Sequence, residues 1–308
     1  MRTFCPEGHL SKLGKNKTAS KTVYTPTVLS EAIESGEILE GKAVMCDSEY
    51  NLIVDLGCMK GIIPKSEGAL GADSGKIREI ALISRVGKAV QFKVTAVNVN
   101  DDGLLYAELS RKKAQEEYLD FIKEKGVGSI VNARVTHLES FGAFCDIGCG
   151  IIALLPIDSI SVSRISHPAD RLFNGEDIKV IIKAIEGLNR ITLSLKELLG
   201  TWEENARLFK AGQTVSGIVR SVEEYGIFIE LTPNLARLAE IKKGVSVGQT
   251  ASVYIKSIIP EKMKVKLIII DSFFDDYTKE LTYYYENDTI KKWQYSPDEC
   301  ERTIVSLF

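Results

Sequence analysis

The sequence predicts an all-β protein built from three similar small barrels in a row. Three observations carry this. Short segments alternate apolar and polar residues, as half-buried strands do. One such pattern recurs three times, and repeated short-strand units read as serial barrels. Glycines punctuate each copy at matching places. The central copy, Gly128 to Leu138 followed by Ser140-Phe141-Gly142-Ala143-Phe144-Cys145-Asp146-Ile147, reads as a strand, a hairpin turn containing Gly142, and a second strand. The bend brings Phe141 and Phe144 to one exposed patch, because a small barrel has no room for two rings at a hairpin tip.

The other copies run from Gly41 to Gly57 and from Val215 to Leu231. Each is followed by an apolar segment (GIIPKSE, GIIALLPIDSIS, ARLAEIK) and a later strand (VGKAVQFKVTAV, NGEDIKVIIKAI, VGQTASVYIKSI). The central copy closes on RITLSLK, Arg190 to Lys196.

Taken in order, residues 1–38 form a polar arm, with Lys12, Lys15, Lys17 and Lys21 among small residues, and a short helix from Pro26 to about Gly36 capped by Thr27 or Ser30. The first barrel spans 39–112. A helical linker at 113–125 places Ala114, Tyr118, Leu119, Phe121 and Ile122 mostly on one stripe and stops at Gly126. The second barrel covers 126–197. A second helical linker, 198–211, carries Trp202 as a packing residue. The third barrel covers 212–271, and an aromatic-rich tail, 272–308, packs on it as a strand or two. Helical linkers would hold the barrels in a semi-rigid row.

On SFGAF, RITLSLK and the threefold pattern, the units resemble the S1 RNA-binding domain, and the array resembles tandem S1 proteins of the bacterial ribosomal type. The resemblance covers roughly Leu39 to Asp271 and implies five-stranded OB-fold barrels that bind single-stranded RNA. It implies that Phe141 and Phe144 stack bases and that Arg190 meets phosphate, with Arg164, His167 and Arg171 in a loop beside that face. In the third barrel Tyr225 and Phe228 take the stacking positions and Lys264 the basic one. In the first, Tyr50 keeps one stacking position, Ile53 replaces the other, and Lys65, Lys60, Arg111 and Lys112 remain for phosphates. That barrel is read mainly as a scaffold or docking unit. The family's histidine is replaced by Pro156 and, in the third copy, by Glu240. Stacking in a basic groove binds single strands with little sequence preference, at about 1–3 kcal/mol per base.

Charge limits the partners. The chain carries 39 Lys/Arg against 42 Asp/Glu, net −3, which argues against tight duplex binding. The charge is uneven: Gly212 to Ile270 has eight basic and five acidic residues, whereas Asp271 to Phe308 has four and nine. No apolar run nears the roughly 20 residues of a membrane span, so a cytoplasmic location is expected. The six cysteines form no CxxC pair; they read as free, partly buried thiols. Cys5 and His9 supply two of the four ligands that a closed zinc site needs, so no metal or cofactor is expected. No GxxxxGK[ST] or HExxH motif occurs, and no catalytic domain is expected. The expected partner is single-stranded RNA, with ribosomal or RNA-processing proteins beside it. The competing reading is a protein–protein adaptor docking through its barrels.

Overall fold

The computed structural model describes residues 4–10, 24–72, 78–187, 190–275 and 281–308. Lys12, Lys15, Lys17 and Lys21 of the basic arm lie outside the described residues. Three closed five-stranded barrels follow one another. The first holds β1 (Ile38–Cys46), β2 (Leu52–Asp55), β3 (Lys60–Ile63), β4 (Ala89–Val99) and β5 (Leu105–Ser110). The second holds β6 (Ile130–Glu139), β7 (Gly142–Asp146), β8 (Ile152–Pro156), β9 (Asp177–Glu186) and β10 (Arg190–Ser194). The third holds β11 (Thr214–Glu223), β12 (Gly226–Thr232), β13 (Leu235–Ala239), β14 (Thr250–Ile259) and β15 (Lys264–Phe273). Each closes in the same cyclic order, first-second-third-fifth-fourth. Its third and fifth strands pair in parallel, the arrangement expected of OB-type barrels. Full closure leaves no sheet edge for stray pairing.

By chain contacts the molecule divides into two compact units: Met1–Gly126 with Asn132–Arg134 and Asp146–Ile152, and the remainder. In the first unit, inward residues of the barrel strands (Leu52, Val54, Val90, Phe92, Ala107, Leu109) pack with Leu29 and Ala32 of α1 (Pro26–Ser35). Thr25, rather than Thr27 or Ser30, caps this helix by accepting from the Val28 amide. Pro26 explains the shift: it lacks an N–H and its fixed φ suits the first helical position, so the cap falls just before it. Gly36 ends the helix at φ 63°, where a side chain would be strained. A short α2 (Glu79–Ile83) precedes β4. The predicted stripe of the linker helix holds in α3 (Arg111–Lys125), which buries Ala114, Tyr118, Leu119 and Ile122.

The described N-terminal residues 4–10 are packed, not a loose arm. The Phe4 ring lies 5.0 Å from Tyr118 and 4.7 Å from Phe121. The buried Glu7 carboxylate pairs with Arg111 Nε at 2.8 Å and Arg85 Nη1 at 3.3 Å. Arg111, expected to meet phosphate, is therefore spent inside the protein at 3% exposure. Asp146 accepts from the Glu7 and Gly148 amides, each at 2.9 Å. Burial, and then the Glu7 charge, raise its pKa from 3.8 to about 7. Native Asp146 thus keeps its proton between about pH 4 and 7 where the unfolded chain has lost it, so its contribution to stability falls as pH rises through that window. The stability difference between wild type and Asp146→Asn should shift against wild type from pH 4.5 to 7.5 in denaturant titrations. A constant or opposite difference would refute the assignment.

In the second unit, α4 (Trp202–Ala206) is preceded by a 3₁₀ turn, Lys196–Leu199, so the linker helix is broken at Gly200. Trp202 is fully buried, the packing role expected of it. The tail was expected on the last barrel. Its backbone bonds reach the middle barrel and the linker. Ile290 N donates to Gly128 O at 2.8 Å, Ile130 N to Asp288 O at 2.9 Å, and Tyr284 N to Leu198 O at 2.9 Å. It also meets the third barrel, where the Tyr295 hydroxyl donates to Asn234 O at 2.5 Å. The tail forms a small hairpin of β16 (Lys292–Gln294) and β17 (Val305–Leu307). Among the described residues no helix is long and apolar enough to cross a membrane.

Candidate nucleic-acid interface

The tip of the β6–β7 hairpin is the turn Ser140-Phe141, and Gly142 opens β7 rather than lying in the turn. The reason for glycine is close approach. A Cβ at Gly142 would meet Leu155 O at 2.5 Å, and one at Gly226 would meet Ala239 O at 2.8 Å. Both glycines let the third strand of their barrel press against the second. That fixes the aromatic pair around them. Phe141 is 53% exposed and Phe144 half-buried, their rings edge to face at 6.0 Å and 87°. Tyr225 is 69% exposed and Phe228 half-buried, at 6.3 Å and 89°. In each barrel, then, one ring stands open to solvent and the other is set edge to face against it. Such offset and edge-on arrangements are the favoured ones for aromatic rings.

Arg190 and Lys264 hold equivalent positions: each is the exposed first residue of the fifth strand. The first barrel differs. Tyr50 has φ 66°, Ile53 is buried, and Lys65 Nζ sits 4.7 Å over the Tyr50 ring while pairing with Glu79 at 2.9 Å. That bond lowers the Glu79 pKa. Tyr50 and Lys65 are thus brought together, but with each other and with an acid.

The loop between β8 and β9 divides the residues expected to act as one group. His167 caps a 3₁₀ turn at Pro168–Asp170: its Nδ1 accepts from the Ala169 amide at 3.0 Å, while Asp170 accepts from the His167 amide at 3.1 Å. Only Nε2 remains for other partners. The Arg171 side chain is buried and clamps Glu230 of the third barrel, Nη1 to Oε1 at 2.5 Å and Nη2 to Oε2 at 2.7 Å. Arg220 donates to the same carboxylate at 2.7 Å. Burial opposes the charge on Glu230, yet the two arginines hold its pKa below the usual range. The Arg220–Glu230 half was readable, since β11 and β12 pair Ile218 with Glu230 and alternation turns both charges outward. Arg171 comes from a distant loop read as lying beside the binding face, and nothing local marks it as a buried clamp.

Arg164 is exposed and lines a cleft of about 800 Å³ together with Tyr225 and Phe228. The structure thus brings it to the aromatic pair of the third barrel. Cys145 and Cys149 are buried and form no disulfide among the described residues, and burial pushes the Cys149 pKa up. Among the described residues no cluster of three or more His, Cys, Asp or Glu could hold a metal ion.

The family profile described as S1 RNA binding domain matches residues 124–196, the middle barrel. Over most of its length the chain resembles a bacterial ribosomal protein. It is 28% identical to small ribosomal subunit protein bS1 of Staphylococcus aureus over 267 residues, 81% of this chain and 65% of that protein. It is 31% identical to the bS1 protein of Leuconostoc lactis, over 77% of this chain and 53% of that one. It is 30% identical to the bS1 homolog of Bacillus subtilis, over 70% and 55%. The chain therefore spans between about half and two thirds of these relatives.

Proposed function

We propose that this protein binds single-stranded RNA, stacking bases on Phe141 and Phe144 in the second barrel and on Tyr225 and Phe228 in the third. Arg190 and Lys264 meet the phosphates. The observation that carries this is the repetition: two barrels present the same edge-to-face pair, with one ring open and a basic residue at the start of the fifth strand. A nucleotide needs an aromatic face for its base and a cation for its phosphate, and both barrels present an exposed one of each. The S1 match and the bS1 relatives support the same reading. We place the protein in translation, as an mRNA-capturing factor, or in RNA metabolism, acting in the cytoplasm beside ribosomal or RNA-processing proteins and not as an enzyme. The first barrel, with Tyr50 covered by Lys65, suits attachment to a protein, and this is the observation that favours the adaptor as a second reading.

Salt separates the two. Each phosphate contact to a single strand contributes a slope of about −0.7 in log affinity against log salt. Arg190 and Lys264 predict a slope of about −1.4, a loss of roughly sevenfold between 50 and 200 mM salt. Fluorescence anisotropy with a labelled RNA of about 15–20 nucleotides measures it. No binding at low salt rejects RNA, and binding that ignores salt rejects the phosphate contacts.

A further inference from the structure

We propose that the third barrel's RNA site is completed by the middle barrel: the Ser161–Ser166 loop supplies Arg164 as phosphate contact for a nucleotide stacked on Tyr225. This rests on the RNA reading above and goes beyond it, because it makes one strand's path depend on two barrels at once. It also reverses the expectation that Arg164 serves the Phe141 and Phe144 face.

Four observations carry it. The cleft of about 800 Å³ is walled on one side by this loop and on the other by Tyr225 and Phe228; pockets of this size hold small organic ligands. Its charge is balanced, since Asp158 and Glu223 also line it. Of its two cations, Arg220 is already bonded to Glu230 at 2.7 Å and to Asp170 O at 3.1 Å. Arg164 is exposed and makes no ion pair among the described residues, so it is the cation left for a phosphate. Finally, Ser163 lines the cleft at 6% exposure and its hydroxyl finds no hydrogen-bond partner among the described residues. A buried unpaired hydroxyl costs stability, and it is a feature to expect where a ligand supplies the partner.

The loop is also held in place, as a composite site requires. Ser161 Oγ donates to Ser163 O at 2.8 Å and accepts from Arg171 at 3.3 Å. The Val162 amide donates to Asn234 of the third barrel at 2.9 Å. Asn234, itself fully buried, donates to Lys196 O and Gly200 O at 2.7 and 2.8 Å. Arg171 is clamped to Glu230 just beyond. The loop that presents Arg164 is therefore fastened to the barrel whose aromatic pair it faces.

The test is a double-mutant cycle on the full chain, read by anisotropy with the same labelled RNA. Arg164→Ala and Tyr225→Ala should each weaken binding at least threefold, and their combination should fall well short of the product of the two effects. Arg164→Ala combined with Phe144→Ala should give the product. Ser163→Ala should weaken binding with no loss of thermal stability. Coupling of Arg164 to Phe144 in place of Tyr225, or no effect of Arg164→Ala, overturns the composite site while leaving RNA binding intact. Absence of binding by the wild type overturns the RNA reading itself, and is seen before any variant is made.

Discussion

Glu230→Ala is expected to destabilise the unit that contains the third barrel and most of the second by about 3–5 kcal/mol, the cost of breaking a buried ion pair from one side. Glu230 is completely buried and Arg171 is 3% exposed in its side chain. With the carboxylate gone, Arg171 in the interior loses its ion-pair partner and Arg220 at its edge keeps only the weaker contact with Asp170, and neither can deprotonate. Glu230→Gln keeps the volume but not the charge and should fall between. Replacing Glu230, Arg171 and Arg220 together with apolar residues of similar size should recover much of the loss, because the desolvation of all three charges disappears. The protein reports on itself: Trp202 and Trp293, its two tryptophans, are both buried in this unit, so their fluorescence follows its unfolding in denaturant. A loss below about 1 kcal/mol, the level of a surface pair, would mean that the cluster is not desolvated as the structure has it. The pH behaviour gives an independent check. The folded pKa of Glu230 is depressed, so its contribution is present above the unfolded value of about 4.3 and is lost as pH falls through the folded one. That sign is opposite to the sign for Asp146 in the other unit.

These two carboxyl groups also mark the limit of what the sequence discloses. Strands were legible because alternation is local: Ile227, Ile229 and Leu231 point inward by counting alone, and the structure buries all three. The aromatic pairs were legible for the same reason, since a hairpin fixes the spacing of Phe141 and Phe144. What failed was anything set by long-range pairing. Arg111 reads as a surface cation on a linker helix until Glu7, 104 residues earlier, folds onto it. Arg171 and Arg164 lie seven positions apart in one basic loop, yet one is buried as a clamp and the other lines a cleft. The tail reads as a neighbour of the barrel it follows, and nothing local says that it also bonds to Gly128 and Ile130. Charge and hydropathy say that such residues want partners; they do not say which.

Phe141→Ala with Phe144→Ala is expected to weaken RNA binding at least tenfold, about 1.4 kcal/mol. Two stacked bases at about 1–3 kcal/mol each would permit more. The loss stays finite because the third barrel keeps its own pair, and a strand held there remains at high local concentration around the second. Tyr225→Ala with Phe228→Ala should cost a similar factor, and all four changes together should bring binding to the weak electrostatic background. Folding is a lesser concern for Phe141, which is 53% exposed, than for half-buried Phe144, so Phe141→Ala alone should give a large share of the effect at nearly unchanged stability. The salt slope then identifies what was removed. Stacking carries no counterions, so the aromatic variants should bind more weakly with the slope unchanged. Arg190→Ala should lower the slope by about 0.7 while costing less affinity at high salt. Aromatic variants that flatten the slope would show that the rings merely orient the cations, and variants that bind like wild type would place the bases elsewhere on the barrels.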